Sequence, residues 1–250
     1  MHNIAQLGTI WVYLAGSPLL GLTLTLCAYT SAFWVYSRCK FSPLANPVAI
    51  AIALIVVILK STGMSYQDYF SGAQFVHFLL GPATVALAIP LARQLPRLRR
   101  SFVPLVCGLF TGSVTAIISA VAIIVLMGGS YQLAISIGPK SATTPIAMGV
   151  AEKLGGLPAL TAVLVIGTGI FGAVIGRFLF NWMRIDSHEV RGFALGVTSH
   201  GIGTARAFQV SAEMGAFAGL GMGMNGVLTA FLAPWLIPIL INNLSPFISK

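Results

Sequence analysis

The sequence predicts an all-α polytopic membrane protein with about seven or eight transmembrane segments, some of them discontinuous or re-entrant. Of its 250 residues, 57% are hydrophobic and 8% are charged, whereas a soluble domain carries about 25% charged residues. Apolar stretches of about 20 residues, enough helix to cross a hydrocarbon core about 30 Å thick, recur along the whole chain. Because such a composition cannot build a water-facing surface, we expect the chain to cross a bilayer repeatedly.

Six stretches have the length and composition of crossing helices, and two further apolar segments are less regular. The six are 10–36, 47–60, 73–95, 101–127, 158–183 and 214–242, and the irregular segments are 131–151 and 192–209. No Lys or Arg precedes the first stretch, so we expect a retained helix rather than a secretory signal. Since the loops are short, we expect one integral membrane domain over 1–250, with candidate repeat halves at 41–130 and 131–250.

Basic residues in the short loops predict the orientation in a cytoplasmic membrane. Fourteen Lys and Arg stand against five acids, a formal net charge of +9. Short cytoplasmic loops carry an excess of Lys and Arg. The basic residues cluster at Arg38 with Lys40, at Arg93 to Arg100, and at Arg184 with Arg191. These three loops are therefore expected to be cytoplasmic.

The irregular segment after residue 130 conflicts with that orientation if it crosses the membrane. A crossing at 131–151 would place Arg184 and Arg191 outside, so we expect 131–157 to enter and leave on one side. Gly138, Pro139 and Pro145 agree, because they interrupt any continuous helix there. Irregular backbone at membrane depth persists only where protein or a wet cavity satisfies it. The sequence therefore predicts a binding cavity here.

With that path, the two halves of the chain are expected to form an inverted repeat. Residues 81–84 and 201–204 would be the interruptions at corresponding places in the two halves, and paired broken helices are typical of transporter sites near the membrane midplane. This arrangement requires 192–209 to cross and favours a cytoplasmic Lys250.

Polar residues within the apolar segments predict a site for a small anion. The candidate substrate-binding residues are Lys140, Ser141, Thr143, Thr144, Ser199, His200, Thr204, Arg206 and Asn225. Ionisable groups at membrane depth tend to be paired, wet or functional. Cations and half-helix starts suit a carboxylate. His200 is the candidate for proton coupling, because an unperturbed histidine titrates near pH 6.5.

Several candidates also have a structural explanation. Lys140 and Arg206 could extend to lipid headgroups, and His200 could bond to a backbone carbonyl. The hydroxyls of Ser141, Thr143 and Thr144 could bond back to helical carbonyls or fill a close interface. A glycine series in the last helix favours a closely packed face over a ligand site. It comprises Gly215, Gly219, Gly221, Gly223 and Gly226.

Enzymes and metal or cofactor sites are disfavoured. The five acids fall in or beside predicted loops, and no Gly-x-Ser-x-Gly, His-Glu-x-x-His or P-loop motif occurs. The three cysteines are scattered along the sequence, and no histidine stands at a metal-ligand spacing from any of them. We therefore expect no catalytic residues, no metal and no cofactor.

Several runs resemble the LrgB/CidB family over nearly the whole chain. They are PKSATTPIAM at 139–148, GGLPALTAV at 155–163, RGFALGVTSHGIGTAR at 191–206, NP at 46–47 and SYQDYF at 65–70. The resemblance implies either of two functions. One is antiholin-like modulation of murein hydrolase activity and autolysis with a small LrgA/CidA-like membrane partner. The other is carboxylate transport, as in the similar plastidal glycolate/glycerate transporter and bacterial pyruvate uptake systems.

The residues favour the second function, because short 2-hydroxy and 2-oxo acids are small anions. We therefore expect a monocarboxylate transporter, with autolysis modulation as the alternative. The expected partners are the substrate, the lipid bilayer, the small holin-like protein and further copies of the chain, and no nucleic acid.

Overall fold

A computed structural model describes residues 18–79, 82, 85, 86 and 88–244. Within these residues every regular element is helical, which confirms the predicted class there. The chain divides into two compact units, Met1–Ala86 and Leu87–Lys250.

The N-terminal unit contains three described helices and one short turn. The helices are α1 (Pro18–Arg38), α2 (Pro47–Thr62) and α3 (Tyr66–Phe78), and a 3-10 turn spans Pro43–Ala45. Asn46 begins α2, because its side-chain oxygen accepts hydrogen bonds from two N–H groups of the first turn at 2.9 and 3.2 Å. Pro47 follows at the first helical position, where its missing N–H has no cost.

Helix α1 packs closely against α3. A Cβ at Gly21 would overlap the Tyr69 carbonyl oxygen. The Thr25 hydroxyl lies 2.8 Å from the Tyr69 hydroxyl. The predicted crossing at 73–95 overlaps the end of α3 and reaches into the next unit, with undescribed residues between, so it stays a prediction.

The C-terminal unit contains eight described helices. They are α4 (Ala88–Arg93), α5 (Leu95–Arg100), α6 (Phe102–Leu126), α7 (Tyr131–Ile137), α8 (Thr144–Lys153), α9 (Pro158–Trp182), α10 (His188–Val210) and α11 (Ala212–Asn243). The bounds of α6, α9 and α11 lie within two residues of the predicted crossings at 101–127, 158–183 and 214–242.

Four helices of the described chain, α1, α6, α9 and α11, are long and apolar enough to cross a membrane. The 25 residues of α6 and of α9 span about 37 Å, more than a hydrocarbon core. Their outer surfaces expose large apolar side chains, among them Phe110, Phe171 and Trp182 on these helices and Trp235 on α11. Such surfaces are stable against lipid, so the chain is an integral membrane protein.

Residues 131–157 double back and are called hairpin A. Helix α7 has seven residues and α8 has ten, about 10 and 15 Å, so neither can cross a bilayer. The Leu157 N–H donates to Ser136 Oγ at 2.9 Å, so the end of the segment lies against α7. The Gly138 to Pro145 run separates the two helices, as its sequence predicts.

Helix α10 is also a hairpin, called hairpin B (188–210). A straight helix of 23 residues would place its ends about 33 Å apart, yet Ser211 Oγ lies 3.1 Å from His188 Nδ1. A Cβ at Gly203 would lie 2.6 Å from the Leu195 carbonyl oxygen, so the two arms run side by side. The reversal occurs at His200, where φ is 41° and ψ is −132°.

This path corrects the expectation that 192–209 crosses. The predicted interruption at 201–204 is present, one residue earlier, but it reverses the chain instead of kinking a crossing helix. Helix α11 is then the one described helix of crossing length after Arg191, and its far end at Asn243 lies away from Arg191. Lys250 and residues 81, 83 and 84 lie outside the described residues. The cytoplasmic side of Lys250 and the interruption at 81–84 therefore stay predictions.

Disulfide trapping tests the reversal. We expect His188→Cys with Ser211→Cys, in a chain whose native cysteines are changed to serine, to form an intramolecular disulfide under mild oxidation. Mass spectrometry of the digested protein detects the linked peptides. The control pair, His188→Cys with Gly201→Cys, should remain unlinked because the hairpin tip is about 18 Å from its base. A disulfide in neither pair would contradict the reversal.

Glycines let hairpin B lie directly against α11. A Cβ at Gly192 or Gly196 would overlap the carbonyl oxygen of Met214 or Ala218, respectively. Within the predicted glycine face, Gly215, Gly221 and Gly226 lie in close contact with neighbouring residues, whereas Gly223 has open space. The close-packing interpretation is therefore confirmed for three of these positions.

Candidate functional site

Asn225, in the middle of α11, joins the central segments of the C-terminal unit. Its side chain is 1% exposed. Nδ2 donates to the carbonyl oxygens of Ser141 and Val197, both at 3.0 Å. Oδ1 accepts from Ser113 Oγ at 2.6 Å and from Thr229 Oγ1 at 3.4 Å. These bonds use both donors and both acceptor lone pairs of the amide, so the Asn225 cluster links α6, α11 and both hairpins.

Asn225 and Ser141 are among the residues that the sequence predicts for the site, whereas Ser113 and Thr229 are not. Ser113 is 1% exposed and lies in the middle of the strongly apolar α6. A serine at such a place usually bonds to its own helix, and the local sequence does not indicate a partner 112 residues away. Its place at the end of a small-residue stretch, Thr111 to Ser113, within an apolar segment is the one sequence signal that could have been used.

The tip of hairpin A brings four predicted residues together. Lys140 is half-buried, and its Nζ donates to Ser141 Oγ at 3.4 Å. Thr143 is the N-cap of α8, but its side chain makes no capping bond, and Thr144 is the first helical residue. First-turn N–H groups of a helix have no partner within the helix. The tip therefore presents a cation, hydroxyl groups and backbone donors in one short segment.

The tip of hairpin B depends on the side chain and backbone of His200. Left-handed φ values cost a non-glycine residue about 1–3 kcal/mol, so surrounding contacts must hold the residue there. His200 Nε2 lies 2.9 Å from the Val165 carbonyl oxygen, and a carbonyl can only accept, so Nε2 carries a proton and donates. Gly169 leaves room for the ring, since a Cβ there would lie 2.6 Å from His200 Cε1. His200 thus fixes the tip to α9.

Two other predicted residues also make contacts inside the protein. Ser199 is fully buried, and a Cβ at Gly172 of α9 would overlap its hydroxyl. Thr204 Oγ1 donates to the His200 carbonyl oxygen at 2.8 Å and lies 3.8 Å from Met222 Sδ. Both residues support the reversal of the chain at His200.

Arg206 lies six residues beyond the hairpin B tip. Its side chain is half-buried, and Nη1 donates to Gln209 Oε1 at 3.2 Å along the same arm. The distance along the arm is about 9 Å. This bond directs the guanidinium toward the base of the hairpin, away from the tip.

Both hairpin tips meet the same turn of α11. A Cβ at Gly226 would lie 2.9 Å from Ile146 Cδ1 in hairpin A, and a Cβ at Gly201 in hairpin B would lie 3.9 Å from Met222 Sδ. Met222 and Gly226 are one helical turn apart. A new helix starts at each tip, so two helix N-termini converge near Asn225, an arrangement that suits a small anion.

Comparison with known proteins decides the family. A sequence model described as the LrgB-like family matches residues 25–239. The chain belongs to the LrgB-like family. Similar relatives include two Bacillus subtilis (strain 168) proteins. YwbG is 37% identical over 219 residues, 88% of this chain and 97% of the relative. YxaC is 35% identical over 221 residues, 87% of this chain and 96% of the relative.

A relative with a functional name also matches this LrgB-like chain. The antiholin-like protein LrgB of Bacillus cereus (strain B4264) is 28% identical over 224 residues, 90% of this chain and 97% of the relative. No solved structure matches. The resemblance drawn from the sequence motifs is confirmed.

Proposed function

We propose that this LrgB-like protein transports small monocarboxylates such as glycolate, glycerate or pyruvate. One observation carries the proposal. Two hairpin tips that bear hydroxyls, a half-buried lysine and helix N-termini meet at one fully paired asparagine. Broken segments with positive helix ends at membrane depth are the usual site of small anionic substrates in carriers. A carboxylate of two or three carbons matches the small number of donors.

Hairpin A supplies the primary contacts in this proposal. Lys140, Ser141 and Thr144 face the carboxylate together with the first N–H groups of α8. Ser199, His200, Thr204 and Asn225 hold hairpin B in place, because their polar groups already bond within the protein or pack against it. Arg206 acts further out, where it attracts anions toward the site.

The proposed topology places this unit in the cytoplasmic membrane with the two hairpins entering from opposite sides. Arg93, Arg99 and Arg100 precede α6, and Arg184 and Arg191 follow α9, so both loops are assigned to the cytoplasm. Helix α6 with hairpin A then runs opposite to α9 with hairpin B. An inverted pair of this kind permits alternating access, because one hairpin can open to each side of the site.

Modulation of autolysis is the alternative, and the name of the Bacillus cereus relative favours it. In that case the protein would act with a small LrgA/CidA-like membrane partner, and the polar tips would serve assembly. Their replacement by apolar residues would leave lysis control intact. If the protein is a transporter, the same replacements should abolish uptake. One series of variants, assayed for both uptake and lysis, therefore distinguishes the two functions.

Uptake into liposomes tests the proposal. We expect saturable uptake of labelled glycolate, glycerate or pyruvate by the reconstituted chain, with or without the small partner. Ser141→Ala with Thr144→Ala should weaken apparent affinity about 100-fold or more, because two hydrogen bonds to a charged group, each worth about 1.5–3 kcal/mol, are lost. Thr111→Ala, an exposed hydroxyl on α6, is the matched control. Absence of uptake by the folded protein in both preparations would leave the assembly role as the better explanation.

A further inference from the structure

Lys140 is enclosed by buried neighbours at the tip of hairpin A. Ser141 and Ala142 are buried, as is Pro139 on the other side. The Ser141 carbonyl is fixed to Asn225, so the lysine lies at the depth of the middle of α11. Its Nζ has the Ser141 hydroxyl as a hydrogen-bond acceptor. A hydroxyl carries no charge that could balance an ammonium.

No carboxylate of the described chain balances Lys140. The acids lie elsewhere: Asp68 accepts from Ser65 in the other unit, Glu152 is exposed at the end of α8, Asp186 pairs with Arg191, and Glu189 and Glu213 stand in the first turns of α10 and α11. An unpaired ammonium at membrane depth costs at least a few kcal/mol. The Lys140 side chain must therefore either pair with an anion or release its proton and become a neutral amine.

The elements packed against hairpin A offer no other titratable group at this depth. Helix α6 carries Cys107 near its start, α9 carries Arg177 and α11 carries Glu213. Arg177 and Glu213 are each twelve residues, about 18 Å, from Val165 and Asn225, the residues of their helices that contact the tips. His200 of hairpin B keeps its Nε2–H bond to Val165 whether or not Nδ1 also carries a proton, and its ring lies against Gly169 of α9. Lys140 is the titratable group at the tip of hairpin A itself, beside the Ser141 hydroxyl and the first turn of α8.

We propose that Lys140 carries the coupled proton, so that one proton moves with each monocarboxylate. This inference rests on the proposed transport function. The ammonium of Lys140 binds the carboxylate, and the neutral pair moves across. At the other face the carboxylate leaves, the ammonium releases its proton to water, and the empty carrier returns with a neutral amine. In each cycle one proton and one carboxylate anion cross together, so net transport carries no charge.

Substitution of Lys140 separates binding from coupling. The probe is labelled pyruvate with the full chain in liposomes, with an internal pH dye to count protons. Lys140→Arg keeps the charge but cannot release it at physiological pH. We expect pyruvate exchange to persist while pH-driven net uptake falls about 10- to 100-fold, because a charged empty carrier returns slowly. Lys140→Gln should weaken binding about 10- to 100-fold in both assays.

Lys153→Arg, an exposed lysine of the same hairpin, is the matched control, and size-exclusion profiles check folding. Equal pH-driven uptake by Lys140→Arg and Lys153→Arg would overturn the assignment while leaving transport intact. If Lys140→Arg loses exchange as well, residual uptake by Lys140→Gln decides. If Lys140→Gln still moves one proton with each pyruvate, the proposal is contradicted. If it takes up pyruvate without protons, the proposal is supported. A wild-type chain that exchanges no monocarboxylate removes the transport function and this inference together.

Discussion

Replacement of Asn225 with alanine is expected to lower the free energy of unfolding by about 3 kcal/mol. The change leaves the Ser141 and Val197 carbonyls without their side-chain donor and the Ser113 hydroxyl without its acceptor, all in a buried site. An unsatisfied buried polar group costs about 1–3 kcal/mol. Unfolding of the purified protein in increasing SDS, followed by tryptophan fluorescence, measures the loss.

Two further variants make that experiment specific. Asn242→Ala alters an exposed asparagine on the same helix and should change stability by less than about 0.5 kcal/mol. Asn225→Asp keeps the shape and accepts from Ser113, but it cannot donate to the two carbonyls and adds a charge, so it should be at least as damaging as alanine. If Asn225→Ala matched Asn242→Ala, the cluster would not hold the hairpins.

Gly196→Ala is expected to be nearly as destabilising, by about 1–3 kcal/mol, for a steric reason. The new methyl group would overlap the Ala218 carbonyl oxygen, which is backbone and cannot rotate away. Hairpin B and α11 would then have to separate. The same SDS titration measures the effect, and pyruvate uptake should fall with it.

Gly167→Ala on α9 is the opposite case. Its Cβ would meet nothing within 4 Å, and alanine is about 1 kcal/mol better than glycine inside a helix. We therefore expect unchanged or increased stability. If both alanine variants lost the same free energy of unfolding, the close approach at Gly196 would not explain the result. Any glycine substitution in these helices would then be destabilising.

The crossing helices could be predicted closely because their signal is local. Helices α6, α9 and α11 are long apolar runs, and their bounds follow from composition and length alone. Hairpin A was also predictable, because Gly138, Pro139 and Pro145 cannot continue a helix. The charges of Arg184 and Arg191 added an independent reason for the chain to double back there.

Hairpin B was not predictable as a reversal. Residues 192–209 contain no proline, and their apolar character is that of an ordinary crossing segment. The turn at His200 depends on the Val165 carbonyl and on the space at Gly169, both from another helix. Contacts between residues 31 or more positions apart leave no periodic trace in the sequence.

The candidate site was predicted in its residue types more than in its roles. Lys140 and Ser141 do lie together, and Asn225 is central rather than peripheral. His200 bonds to a backbone carbonyl, in agreement with its structural explanation. Thr204 also bonds to a backbone carbonyl, that of His200. Ser113 was missed because its partner, Asn225, lies 112 residues away in the sequence.

The position of Asn225 also bears on the order of biosynthesis. Hairpins A and B leave the ribosome before the middle of α11, so the Ser141 and Val197 carbonyls lack this donor while the earlier segments are inserted. Lipid offers no replacement for it. The C-terminal unit therefore completes its folding after translation of its last helix, and a nascent chain that ends before residue 225 leaves these two carbonyls without their side-chain donor.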